Sequence, residues 1–428
     1  MRILLINYRY FISGGPEKYM FHIKKKLEEE GHEVIPFSIH SNKNETTEYS
    51  KYFVNPIGSR DVTYYREYKK TPKAIIQMIS RSVYSFEVKR AVKKIITDVK
   101  PDIVYILHYV NKLSPSVIKG AKEMGLPVVL RLSDYFLLCP RFDFLYQKKI
   151  CEDCLTKGYK SCIKKRCVKD SIFASLIRVF SMKVHKLMKI NNDVDAFIAP
   201  SEFLKKKLAE NGFKEEKIHC IPTFTSSQSE IDKPEVGDYG LYFGRITKEK
   251  GVETLIHAYG KLPRKYRLVV MGDDATDEAV ALKAYINDNK ITNIDFIGFK
   301  TGIELETVIR NARFTFIPSL WYDNLPNTAL EAFQYFKPVI ASNIGSLPEL
   351  VIHGFNGYLF EPGNVEEVIR YIKELGEDSK IIWMGTNGHS LLDGNFSAQT
   401  HYNRLMNTFR ELLSSDLQHT SEISMKRG

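Results

Sequence analysis

No apolar run in this chain approaches the ~20 residues that a membrane-spanning helix requires, and the first ten residues, MRILLINYRY, read as a strand rather than a signal peptide. Spanning classes are thereby set aside, and a cytoplasmic location is expected. The chain has no tandem repeat and no low-complexity tract, which argues against solenoid and fibrous classes. No G-x-G-x-x-G follows the first predicted strand, and the second ends in Phe37-Ser38-Ile39 without an acid. That argues against an NAD-binding oxidoreductase. What is present is the composition of a globular protein: 428 residues, 43% hydrophobic and 26% charged, enough for two or three domains with ample cores. The net charge of +11 asks for an anionic partner, whether a small substrate, a membrane surface or, as the weaker reading, nucleic acid.

The chain is organised around Arg313–Gly357. Arg313–Ile317 is a β-branched and aromatic run stopped by Pro318, the pattern of a buried strand. Asn324 and Asn327 are candidate N-caps of a helix carrying Ala329, Phe333 and Phe336 at helical spacing, and Pro338 precedes the next strand, Val339–Ala341. In a parallel sheet, ligands sit beyond the carboxyl ends of the strands, against helix N-termini. Trp321–Thr328 should therefore be a binding loop. Amides near Asn327 and Thr328 would hold a phosphate, flanked by two carboxylates, Asp323 and Glu331, that can accept hydrogen bonds from hydroxyls. Near the start, the strand Arg2–Asn7 leads to Gly14-Gly15 and a helix carrying Tyr19, Met20, Ile23 and Leu27 on one face. These glycines let a backbone approach a phosphate or sugar closely. After the strand Tyr239–Phe243, the run Gly244-Arg245 to Lys250-Gly251 presents two cations, a fork and a point charge suited to a diphosphate.

PSLWYDNLPNTALEAFQYFKPVIAS, GGPEKYMFHIKKKLEEEGHEV and the GR-x4-KG of Arg245 and Lys250 together resemble the signatures of the retaining glycosyltransferases of family 4. The resemblance spans roughly Met1–Leu413 and is densest over Gly240–Gly357. It implies an α/β GT-B fold, two Rossmann-like doubly wound parallel-sheet domains facing a cleft, and transfer of a sugar from a nucleotide-sugar donor with retention. By this resemblance Arg245 and Lys250 hold the diphosphate, Asp323 faces the sugar, Glu331 the ribose, and Phe299 the nucleobase. His108, at the end of the strand after Pro101, stands beside the sugar. Asp134 belongs to the acceptor side. The family usually carries Glu-x7-Glu where this chain has Asp323-x7-Glu331, and many relatives have His-Asp where it has Ser133-Asp134. No Asp-x-Asp motif falls in the donor site, so no catalytic metal is expected. A glycan or lipid-linked glycan is the expected acceptor. An epimerase of the same fold, or a non-catalytic scaffold, are the alternatives.

Five of six cysteines fall in Cys139–Cys167, as Cys139, Cys151-x2-Cys154 and Cys162-x4-Cys167. Paired thiols around a short loop suit a structural zinc held by Cys151, Cys154, Cys162 and Cys167, with Cys139 able to replace one. An iron–sulfur cluster comes second, and disulfides are the weaker alternative in a reducing compartment. Ser59–Lys100 is a basic, tyrosine-bearing helical run. It reads either as a solvated face or as a surface docking on anionic lipid. Domain boundaries are expected at 1–225, with the cysteine-rich insertion 139–167, a linker at 226–238, a second domain at 239–397, a terminal helix at 398–413 returning to the first domain, and a disordered tail at 414–428.

Overall fold

The computed structural model describes residues 1–58, 71–225 and 233–425. Part of the basic run (59–70), part of the predicted linker (226–232) and the last three residues of the tail lie outside the described residues.

The first domain begins with β1 (Arg2–Asn7), α1 (Gly15–Glu29), β2 (Glu33–Phe37), α2 (Pro72–Val83) and α3 (Phe86–Val99). It continues with β3 (Ile103–His108), α4 (Ser116–Lys122) and β4 (Val128–Arg131). The cysteine-rich insertion follows as a small hairpin, β5 (Leu145–Tyr146) and β6 (Lys149–Ile150), and two short helices, α5 (Asp153–Thr156) and α6 (Lys160–Lys164). Then come α7 (Ile172–Leu187), β7 (Ala196–Ala199), α8 (Glu202–Glu210) and β8 (Ile218–Cys220). The strands are short continuous apolar runs, as expected where both sheet faces are covered, and they pair in parallel in the order β2-β1-β3-β4-β7-β8.

The second domain alternates strand and helix throughout. β9 (Tyr239–Phe243), α9 (Val252–Lys261), β10 (Arg267–Met271), α10 (Asp277–Asp288), β11 (Ile294–Phe296) and α11 (Gly302–Arg310) form one half. β12 (Ala312–Ile317), α12 (Asn327–Gln334), β13 (Val339–Ser342), α13 (Leu347–Leu350), β14 (Gly357–Phe360) and α14 (Val365–Glu374) form the other. The sheet order is β11-β10-β9-β12-β13-β14, again parallel. Strand order reverses beside β1 in the first sheet and between β9 and β12 in the second. A doubly wound sheet opens a crevice at such a point, beyond the strand ends.

Two last helices, α15 (Asp378–Asn395) and α16 (Ala398–Met425), complete the chain. Tyr402, Leu405, Met406 and Phe409 recur at helical spacing and join Ile3, Leu5, Tyr19 and Ile23 in one core of the first domain. Helix α16 runs on through most of the stretch expected to be an irregular tail, because no glycine or proline interrupts Ala398–Met425.

Candidate active site

Both switch points supply a loop to one cleft. In the second domain, β9 runs into Gly244-Arg245 and then a single 3-10 turn, Lys248–Lys250, closed by Gly251 in the left-handed region at φ 69°. A Cβ on Gly251 would lie 1.9 Å from the carbonyl oxygen of Pro318, so only glycine lets this turn approach the loop after β12. Leu320 N donates to Glu249 O at 2.8 Å and straps the two loops together. Lys250 is thereby delivered to Asp323: Nζ donates to Oδ1 at 2.7 Å in a pair that is largely buried. Ser319 Oγ donates to Oδ2 of the same carboxylate. Asp323 is 5% exposed, so it fixes Lys250 while each oxygen keeps a further lone pair for a ligand hydroxyl. Arg245 stands exposed at the end of β9, and no carboxylate among the described residues lies within ion-pair distance of it.

Helix α12 starts at Asn327 with Pro326 in the cap position and no side-chain cap. Asn324 and Asn327 are therefore not the caps their sequence suggests. Proline presets the turn and makes Asn327 the first helical residue, while Asn324 Nδ2 reaches across to Leu132 O at 3.2 Å. Helix α1 also starts without a side-chain cap, at Gly14-Gly15. The two helix N-termini meet: a Cβ on Gly15 would lie 3.6 Å from Nδ2 of Asn327. Two helix dipoles, their first amides uncapped by side chains, with Lys250 and Arg245 on the same side of the second sheet, make a strongly anion-attracting point. Thr328 lies beside it in the first turn. Glu331 is one turn further along α12, its carboxyl raised by burial and drawn partly back by Lys18 of α1.

From the first domain, β3 ends in His108 and β4 leads to Asp134. The two sit together, with His108 Nε2 3.4 Å from Asp134 Oδ2. Asp134 Oδ1 is held by the Phe136 amide at 2.9 Å, and the His108 ring packs edge-on against Tyr8 at 4.9 Å. His108 Nδ1 is buried without a protein partner. Phe299, beyond β11, is 73% exposed.

Sequence reasoning missed what ties the two domains. Tyr322, on the donor loop, inserts among Phe203, Phe144 and Tyr135 of the first domain, at ring distances of 4.8, 6.0 and 6.4 Å. Glu349 accepts from the amides of Glu202 and Phe203 at 2.8 and 2.6 Å, so a second-domain carboxylate caps helix α8 of the first. The adjacent aromatic Trp321-Tyr322 was the available signal for the first of these.

The cysteines of the insertion lie close together. Cys154, Cys162 and Cys167 interact through their thiols, and the hydrogen bond to Cys162 pulls the Cys154 thiol down. Cys151 Sγ accepts from Lys165 Nζ at 3.1 Å. Cys139 is buried apart, its thiol pushed up to about 11 by desolvation. Among the described residues, no three His, Cys, Asp or Glu side chains are gathered so as to hold a metal ion.

Two doubly wound domains, each presenting its switch point to a shared cleft, define the GT-B class of architecture. Within it, residues 224–382 match the family model described as glycosyl transferases group 1. The chain is thus of GT-B architecture, and its second domain is similar to the glycosyl transferases group 1. Its structure is similar to sucrose-phosphate synthase from Thermosynechococcus elongatus (TM-score 0.68, 17% identity, covering 97% of this chain and 99% of that one). It is also similar to HepE of Anabaena in complex with UDP-glucose (TM-score 0.62, 17% identity, 97% and 100% covered). In sequence it is 30% identical over 197 residues to an uncharacterized glycosyltransferase of Methanocaldococcus jannaschii, spanning 45% of this chain and 53% of that one. It is 25% identical to an uncharacterized protein in the cps region of Klebsiella pneumoniae, over 90% and 96%. It is 24% identical to the capsular polysaccharide biosynthesis glycosyltransferase CapM of Staphylococcus aureus, over 50% and 61%. The chain spans about half the length of the first of these relatives.

Proposed function

We propose that the protein transfers a sugar from a nucleoside diphosphate donor to an acceptor hydroxyl with retention of configuration, in polysaccharide or lipid-linked glycan assembly. The observation that carries this reading is the meeting of two uncapped helix N-termini, at Gly15 and Asn327, beside Lys250 and Arg245. The reading gains support from HepE, whose structures hold UDP and UDP-glucose, and from the capsular assignment of CapM. The diphosphate sits over the two helix ends, with Lys250 and Arg245 neutralising the charge that grows as the bond from the anomeric carbon to the phosphate oxygen breaks. Asp134 favours the His108 tautomer with hydrogen on Nε2, which leaves the buried Nδ1 to accept from a sugar hydroxyl. Asp323 accepts from another. Glu331 takes the ribose hydroxyls, and Phe299 covers the base. The acceptor oxygen attacks from the face the diphosphate leaves, and its proton passes to the departing phosphate oxygen. No step runs through a metal.

Differential scanning fluorimetry against UDP-, GDP-, ADP- and dTDP-sugars, repeated with Arg245→Ala, tests the donor site. Stabilisation by one donor that the variant loses supports it; no shift with any donor refutes it. Release of a modified donor without an acceptor would turn the reading to an epimerase.

For the acceptor we infer a lipid carrier met at an anionic membrane surface. No helix among the described residues is long and apolar enough to cross a membrane. However, α7 exposes Phe173, Leu176 and Phe180 along one face, and α2, packed against it, exposes Ile75 and Ile76. Neither helix carries an acid, and Lys73, Lys183 and Lys186 are exposed on them. Such a face suits shallow insertion among anionic headgroups. The basic run first singled out contributes less among its described residues: Arg81 is buried, and Lys89, Lys93 and Lys94 are ion-paired. Structural zinc at Cys151, Cys154, Cys162 and Cys167 is part of the same proposal and rests on spacing. It requires Lys165 to leave Cys151.

A further inference from the structure

Apart from the cleft, the first domain holds a cavity of 880 Å³ between the carboxyl half of α7, the insertion and the loop after α8. Its walls are apolar in part, with Met182 and Phe213, and cationic in part, with Arg178, Lys186, Lys189 and Lys217. No Asp or Glu lines it. The ring of Phe136, which also lines the cavity, stands 6.0 Å from that of His108.

Arg178 is the unusual member. It is 5% exposed, donates from Nη2 to Phe136 O at 2.8 Å and lies over the Phe142 ring at 4.8 Å. Its Nε is buried with no partner. Among the described residues no carboxylate lies within ion-pair distance of it, and the nearest acidic influence, from Asp134, acts at longer range. A buried guanidinium without a counter-ion is destabilising unless an anion joins it. Lys186 and Lys189, exposed at the rim, form no ion pair among the described residues, whereas Lys217 is used on the carbonyls of Val194 and Asn192 at 2.7 and 3.2 Å. A guanidinium fork and two point charges match a tetrahedral phosphate. The volume exceeds a bare phosphate, and the apolar walls give room for an attached body.

We propose that this cavity is a second ligand site, binding the phosphate or diphosphate of a ligand distinct from the nucleotide donor, with Arg178 at its floor and Lys186 and Lys189 at its rim. That the ligand is a lipid phosphate rests on the acceptor reading above; the anion site does not.

The test is calorimetric titration of the full chain with farnesyl diphosphate and, separately, inorganic diphosphate. It is repeated in Lys186→Glu/Lys189→Glu, whose exposed positions leave folding intact, in Arg178→Gln, and in Lys250→Ala. Binding that weakens at least roughly tenfold in the rim variant, falls with salt and survives in Lys250→Ala supports the site. Tighter binding of the farnesyl compound identifies a lipid phosphate, and equal binding a free one. Absence of binding by both probes, or binding abolished by Lys250→Ala and indifferent to the rim variant, overturns the proposal. The latter result would leave the donor site standing.

Discussion

At the scale of single residues, the Lys250–Asp323 pair and the glycine beneath it are the most exposed to test. Lys250→Ala removes one charge from the diphosphate and leaves the buried Asp323 carboxylate with Ser319 alone. Turnover should fall by about 10²–10³, the usual loss for one group stabilising developing charge, with fold stability lowered by about 3 kcal/mol; steady-state kinetics and chemical denaturation read the two effects separately. Gly251→Ala acts through geometry. A methyl 1.9 Å from Pro318 O must push the donor loop from the turn, so donor affinity should drop although no charge changes, as isothermal titration would record. An unchanged affinity would show that the loop is free to move. That Arg245, Lys250, Asp323 and Glu331 stand at strand and helix ends was legible in short local patterns. Arg178 was not: its buried, unpaired state arises from the packing of α7 against Phe136 and Phe142, neighbours that spacing along the helix does not reveal.

Individual elements show the same division. The strand β9 falls on the boundaries its composition suggests, since it is a short apolar run ended by glycine. The start of α12 was misjudged because Asn324 and Asn327 are good caps in isolation, yet Pro326 between them sets the backbone. The sequence of α7 is amphipathic but does not say which face is covered, because that depends on α2 and the insertion. Phe173→Glu with Phe180→Glu should abolish sedimentation with phosphatidylglycerol vesicles and leave folding intact; binding that persists, or that ignores salt, would remove the membrane reading. Helix α8 is capped by its own Ser201 and, at its first two amides, by Glu349 of the other domain. Glu349→Ala should destabilise by about 1 kcal/mol, a typical cap contribution, and open the cleft as seen in small-angle scattering. Elemental analysis of natively purified protein decides the knuckle: one zinc per chain supports the metal, and none leaves the thiol cluster as it stands.

Over the whole molecule, acid sensitivity follows from two buried histidines. Burial holds His401 down to about 3 and His185 down to about 4, against a usual 6.5. Arg131 and Arg404 also lower His401, while the Pro222 carbonyl opposes the shift. As pH falls below about 6.5 the unfolded chain takes up these protons first, so the stability due to neutral burial is complete above 6.5 and lost progressively toward 4 and 3. The melting temperature should decline from pH 7 to 5, with a shallower slope in His401→Gln. His401 Nε2 meets the Tyr19 hydroxyl at 2.9 Å, which in turn meets that of Tyr105 at 2.8 Å. The centre of the first domain is thus sealed by a helix that follows the second domain in the chain. During translation the first domain leaves the ribosome long before Tyr402 and Phe409 exist. A nascent chain should therefore display the uncovered faces of Tyr19, Ile23 and Tyr105 until the second domain has been made, and that interval is when a chaperone would find it.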